Sequence, residues 1–273
     1  MRARQRQHCI LVFVLRLVAH IIAIAGAAFL AVTVHVPPAV AQKKSTPGPT
    51  AAAAEPARPW RQVWAGATIN THSWSIYTGT TVALFGAIHD NGWRLRTVGG
   101  YGEYSYTGTT RRGTTRVVTK HRGRKAFGDL LAGYQWQTGN LTLKAFAGGT
   151  GIGHIIAPSD PDNSAAGTSF GFTGSLEAWL NVSPRTFISA NVSWASVFQT
   201  FKADVRGGYL VAPNLHLGLE TGVIGNAEYE AANLGAFAQY RWRDMELRAS
   251  TGISGDRDMQ TGAYGTLNVL YTY

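Results

Sequence analysis

Over residues 60–273 the chain is written in short segments of alternating character, with the charges held on one side of the alternation. In the run Leu215-His216-Leu217-Gly218-Leu219-Glu220 the three leucines fall on one parity, and His216 and Glu220 fall on the other. The runs Met245-Glu246-Leu247-Arg248-Ala249 and Leu141-Thr142-Leu143-Lys144-Ala145 repeat the arrangement. A β-strand sends successive side chains to opposite faces, so each run has one apolar and one charged face. A soluble sandwich hides the apolar face inside, whereas a membrane barrel turns it outward to lipid.

The N-terminus bears on that choice. Arg2, Arg4 and Arg6 precede an apolar run over residues 10–36, which ends at Pro37-Pro38-Ala39-Val40-Ala41-Gln42. Ala39 and Ala41 make the small-x-small pattern of a signal peptidase site, so residues 1–41 are expected to be a secretory signal peptide. The run is also long enough to span a bilayer as a retained anchor, but the cleavage pattern favours removal. Cys9, the single cysteine, lies in this leader without a lipobox, so the remainder carries no disulfide, thiol nucleophile or thiolate metal site. Residues 42–59, chiefly Lys, Ser, Thr, Pro and Ala, read as a flexible periplasmic linker, and residues 60–273 as one β-domain.

Twelve strand-like segments follow, near residues 62–70, 74–88, 92–106, 126–138, 140–151, 168–182, 186–197, 200–211, 214–225, 232–243, 245–254 and 262–273. The connections after even segments are short and turn-like, such as Thr138-Gly139-Asn140, Ser183-Pro184-Arg185 and Ala212-Pro213-Asn214. Three connections after odd segments are longer, at residues 107–125, 152–167 and 226–231. That rhythm belongs to an outer-membrane barrel with both ends in the periplasm. The fold class expected is therefore all-β: a transmembrane antiparallel up-and-down barrel of about twelve strands. The last strand sets Leu267, Val269, Tyr271 and Tyr273 on one face, similar to the terminal signal read by the barrel-assembly machinery, with Asn268 where Gly is frequent.

Extending the parity puts Arg94, Arg96, Asp129, Lys144, Glu177, Lys202, Asp204, Arg206, Glu220, Arg241, Glu246 and Arg248 on the charged face. Trp93, Leu95, Leu130, Tyr134, Trp136, Leu217, Leu219, Tyr240, Trp242, Leu247 and Ile253 take the other. A cation facing lipid at the midplane costs roughly 2–4 kcal/mol, so the charged set is expected to line a lumen. Trp64, Trp74, Trp93, Trp136, Trp194 and Trp242 suit aromatic girdles at the membrane interfaces. The basic excess is local. Residues 42–273 hold 21 basic and 15 acidic residues, and seven of the bases (Arg111, Arg112, Arg116, Lys120, Arg122, Arg124 and Lys125) lie in the expected outer loop. Contact with anionic lipopolysaccharide is favoured for them over an acidic polymer or plain solvation; nucleic acid is disfavoured, because no aromatics interleave them.

No catalytic residues, metal ligands or cofactors are expected. His216 and Glu220 read as lumen partners, and Asp256-Arg257-Asp258 and Asp160-Pro161-Asp162-Asn163 as solvated loops rather than calcium or hydrolase sites.

Local words then become recognisable: Asp90-Asn91-Gly92-Trp93-Arg94-Leu95-Arg96, Gly99-Gly100-Tyr101-Gly102-Glu103-Tyr104-Ser105-Tyr106, and Phe127-Gly128-Asp129-Leu130-Leu131-Ala132-Gly133-Tyr134-Gln135-Trp136. With Leu176-Glu177-Ala178-Trp179-Leu180-Asn181, Gly225-Asn226-Ala227-Glu228-Tyr229 and Ser254-Gly255-Asp256-Arg257-Asp258, in this order, the chain resembles the cellulose biosynthesis protein BcsS family. The resemblance implies an outer-membrane or periplasm-exposed component of a cellulose-secretion system in a Gram-negative bacterium. It brings no catalytic residues. The partners it implies are outer-membrane lipid, a cellulose chain and synthase or secretion components. Two roles stand open at this point: a channel for a cellulose chain or another solute, and a structural or assembly barrel closed by its own charge pairs. A lipid-modifying enzyme is a weaker third.

Overall fold

The computed structural model describes residues 58–112, 115–161, 163–256 and 261–273. The expected signal peptide and nearly all of the expected linker lie outside the described residues, as do Arg257 and Asp258. Twelve strands follow one another: β1 (Arg61–Asn70), β2 (Ser73–Ala83), β3 (Gly92–Arg112), β4 (Thr115–Thr138), β5 (Leu141–Ala157) and β6 (Gly167–Ser183) come first. β7 (Thr186–Ala195), β8 (Phe201–Ala212), β9 (Leu215–Gly225), β10 (Glu230–Trp242), β11 (Met245–Asp256) and β12 (Thr261–Thr272) complete them. Each strand pairs antiparallel with its neighbours in sequence. β1 then closes on β12 from Gln62 opposite Thr272 to Asn70 opposite Tyr264. The result is a closed up-and-down barrel.

The alternation that opened the argument sets the two faces. Leu219 is 67% exposed and Phe170 83%, and Ile69, Leu130, Leu176, Leu234, Ile253 and Leu267 are exposed beside them on the outside. A continuous outward belt of this kind is an apolar surface that water does not cover, and lipid does. The shortest strands have 10 residues, the length at which a tilted strand crosses a bilayer. Trp74, Trp93, Trp136, Trp194 and Trp242 are exposed on this surface, as girdle residues should be. Trp64 is not one of them. It shares the parity of Gly66, and its ring lies where a Cβ on Gly79 would stand, so it faces inward over a glycine.

At the rim where β1 begins, the turns between β4 and β5, β6 and β7, β8 and β9, and β10 and β11 are two residues long. Gly139 and Asn214 adopt positive φ there, which Gly and Asn tolerate best. Besides β5, which runs on to Ala157 into the connection expected over residues 152–167, two connections differ from expectation. β2 stops at Ala83 instead of running to residue 88, and residues 84–91 form a longer turn with Ile88 buried. The other is the expected loop over residues 107–125. β3 and β4 run through it as a paired hairpin as far as Arg112 opposite Thr115. Its cations alternate with Thr119, His121 and Gly123, which is strand alternation; being charged, it can run on only where it has left the bilayer.

Candidate functional site

The interior is crossed by contacts between strands three apart in the sheet, which a narrow barrel permits. Arg96 on β3 and Glu177 on β6 form a two-pronged ion pair with β4 and β5 between them. Lys144 Nζ lies 3.9 Å from Glu177 Oε2, and the Arg96 guanidinium sits 3.7 Å over the Phe146 ring while donating to Thr81 Oγ1 at 3.0 Å. Phe187 on β7 meets Phe237 on β10 at 6.2 Å between ring centroids, and stacks on Trp179 at 4.2 Å. The Tyr264 hydroxyl on β12 donates to Glu220 on β9 at 3.0 Å. Glycine makes room for the large rings: a Cβ on Gly133 would strike Phe146, and one on Gly208 would strike Phe187.

The remaining charges of the expected set have nearer partners. Asp204 accepts from Arg206 at 2.8 Å and from Asn191 Nδ2 at 2.8 Å. Lys202 reaches Asp204 only at 3.9 Å and is more than half exposed. Asp129 accepts from Thr150 Oγ1 at 2.6 Å. Arg241 pairs with Glu246 at 3.2 Å. Arg248 is the exception: it lies between Gln239 and Asn268 in the ladders, and among the described residues its Nε makes no hydrogen bond.

Arg94 closes the rim where β1 begins. None of its surface is exposed, and its guanidinium donates to the carbonyls of Trp93 (3.0 Å), Ala87 (3.2 Å), Ile88 (3.2 Å) and Asp90. Those bonds gather residues 84–91 into a compact plug, which Gln135 Nε2 joins through the Asp90 carbonyl at 3.1 Å. The neighbouring His89 has its pKa lowered, first by loss of hydration and then by Lys144, with Asp90 opposing and Arg241 and Arg94 adding.

The opposite rim carries a strap. Residues 158–161 and 163–166 are held on one side by the β3–β4 hairpin, where the Tyr106 hydroxyl donates to Asp160 Oδ2 at 2.7 Å and accepts from Asn163 Nδ2 at 2.9 Å. His121 Nδ1 donates to the Pro158 carbonyl at 2.9 Å. Burial, reinforced by the bond to Asp160, raises the Tyr106 pKa and keeps the hydroxyl protonated. Rings of Tyr104, Tyr106 and His121 stack in a row behind the strap, at 6.2 and 5.1 Å. On the other side Ser164 bonds Glu228 in the β9–β10 connection through both its backbone N–H and its hydroxyl. The strap thus reaches from β3 and β4 to β9 and β10, over the mouth.

Sequence reasoning missed Tyr104, Tyr106, His121 and Glu228, because the expected strand ended at residue 106 and His121 and Glu228 were assigned to loops. The signal was present: the parity of Asp129 and Lys125, continued upward, reaches His121. Of the basic residues expected in that loop, Lys120, Arg122 and Arg124 are exposed on one face of β4, and Lys125 is half-buried on the other. Arg111, Arg112 and Arg116 belong to the hairpin ladder, with Arg111 opposite Arg116.

A family model described as cellulose biosynthesis protein BcsS matches residues 62–273, which is the barrel. No curated protein matches the chain. Among solved structures, the KdgM porin in complex with disordered oligogalacturonate is similar at a TM-score of 0.43 and 7% identity, over 78% of this chain and 99% of that one. The transport unit of the autotransporter AIDA-I from Escherichia coli follows at 0.46 and 12%, over 81% and 92%. LpxR from Salmonella typhimurium stands at 0.46 and 12%, over 78% and 100%.

Proposed function

Because the chain belongs to the cellulose biosynthesis protein BcsS family, we propose that it serves cellulose production as a closed outer-membrane barrel, an assembly or anchoring component rather than an open conduit or an enzyme. The observation that carries this reading is the set of contacts between strands three apart: Arg96 with Glu177, Phe187 with Phe237, and Tyr264 with Glu220. They bridge the inside of the wall in three places, Arg94 holds a folded turn at one rim, and the strap spans the other. A cellulose chain would have to break several of these contacts to pass.

In this reading residues 1–41 are removed on Sec-type export, and residues 42–59 tether the barrel from the periplasmic side. The rim at Trp60 faces the periplasm, and the strapped rim faces the medium. The charged interior then acts as a core: paired acids and bases fix the register of strands that hydrophobic packing fixes in a soluble sandwich. Synthase or secretion components are the expected partners, engaged at the rims.

The test combines two measurements. Deleting the gene should reduce cellulose staining of colonies, and the intact gene should restore it. The purified protein in planar bilayers should be electrically silent. A stable, ion-conducting open state would overturn the closed reading, and unchanged cellulose in the deletion strain would overturn the role.

A further inference from the structure

The outer face of the β3–β4 hairpin holds a row of cations whose place beside the apolar belt can be read from strand register. Trp74 on β2 stands opposite Glu103 on β3, Glu103 opposite Arg124 on β4, and Arg124 opposite Ile155 on β5. Trp74 and Ile155 are exposed on the outside, and Trp74 packs against Tyr101 at 5.8 Å. Arg124 therefore lies beside the positions where the apolar belt ends, next to Ile155 on β5 and two strands from Trp74 of the Trp74–Tyr101 pair, and Trp and Tyr mark that boundary.

Below Arg124 the same face of β4 carries Ala126, Gly128 and the exposed Leu130. Above it come Arg122 and Lys120, both exposed, each about 6.6 Å further along the strand. Arg124 is partly neutralised by Glu103, whose carboxylate is 3.2 Å away. Among the described residues, neither Arg122 nor Lys120 makes an ion pair. The other face of this segment is taken by Thr119, His121 and Gly123, of which His121 is buried against the strap. The cations are thus sorted to the outward side, directly over the lipid.

We propose that Lys120, Arg122 and Arg124 form a binding site for the phosphate groups of an outer-leaflet glycolipid. This rests on the outer-membrane reading above. Lipid fits better than an acidic polymer because the row begins at the hydrocarbon boundary and rises through the depth of a head-group layer. Arginine suits the site through its two-pronged bonds to phosphate oxygens.

The experiment uses the protein inserted in phosphatidylcholine liposomes, offered diphosphorylated lipid A, dephosphorylated lipid A or alginate. The triple variant Lys120→Gln/Arg122→Gln/Arg124→Gln and the single Arg122→Gln are compared with the parent, and folding is checked by heat-dependent gel mobility. The parent should retain diphosphorylated lipid A in preference to the dephosphorylated form. The triple variant should lose about 100-fold in affinity and the single variant about fivefold, from roughly 1 kcal/mol per cation near an anionic surface. Equal retention by parent and variants, indifference to the phosphates, or a preference for alginate would each overturn the site while leaving the membrane reading intact. Failure of the parent to insert would overturn both.

Discussion

Arg96 and Glu177 meet as an ion pair although β4 and β5 lie between their strands in the sheet. Such a contact is made on the inside of the barrel, and it ties together two stretches of wall a quarter turn apart that no ladder joins directly. Replacing Glu177 by Gln leaves Arg96 and Lys144 facing each other without a counter-charge. The loss should be about 2 kcal/mol, below the 3–5 kcal/mol of a fully buried pair because these side chains keep some exposure. Urea unfolding in liposomes, followed by tryptophan fluorescence, measures it. Adding Arg96→Gln should recover part of the loss, since the two changes are not additive.

The two faces of β9 give a sharper contrast. Leu219→Arg, near the middle of β9, places a cation against lipid and should cost roughly 2–4 kcal/mol, abolishing heat-modifiable folding on gels. Glu220→Gln, one face over, keeps an acceptor for the Tyr264 hydroxyl and should be tolerated. Equal behaviour of the two variants would reverse the assignment of faces.

Closure should be layered. Tyr106→Phe removes the hydroxyl between Asp160 and Asn163 and should loosen the strap, seen as faster proteolysis within residues 158–166. Conductance should remain absent, because the contacts across the interior survive. Combining that change with Arg96→Ala and Glu177→Ala should produce a measurable current in planar bilayers.

His89 sets a pH dependence at the plugged rim. Its folded pKa lies below the ordinary histidine value, so the unfolded chain binds a proton that the native turn resists. The contribution of His89 is whole above about pH 6.5 and is lost as pH falls from there towards the folded pKa. Protection factors at residues 84–91, taken relative to the intrinsic exchange rate at each pH, should accordingly fall between pH 7 and pH 5, and His89→Gln should flatten the profile.

Much of this was legible in the residues. The parity of Leu217, Leu219 and Glu220 carries the strand and its two faces, because period-two alternation is a local property, while the direction in which each face looks had to come from the leader and the rhythm of the connections. Twelve strands could be counted because turn residues such as Gly139 and Asn214 punctuate them. The strap was not legible, since no periodicity in Asp160 or Asn163 tells that a loop folds inward on Tyr106. Nor was the pairing of Arg96 with Glu177: it depends on barrel circumference and shear, which no single strand encodes. The hairpin beyond residue 107 was hidden for a different reason. Seven cations in a short stretch look like a loop until one notices that Thr119, His121 and Gly123 alternate with three of them.

The seam between β1 and β12 has a kinetic consequence. Every other ladder joins strands that are consecutive in the chain, whereas Gln62 bonds Thr272 across 210 residues of sequence. Loop-closure entropy makes that contact the most improbable one to form early, so eleven hairpin pairings can zip locally while the twelfth waits for both edges to be in place. Until it forms, β1 and β12 are bare strand edges, able to pair with any other edge presented to them. The time spent as an open sheet, rather than the stability of the finished cylinder, should therefore limit the yield of folded protein.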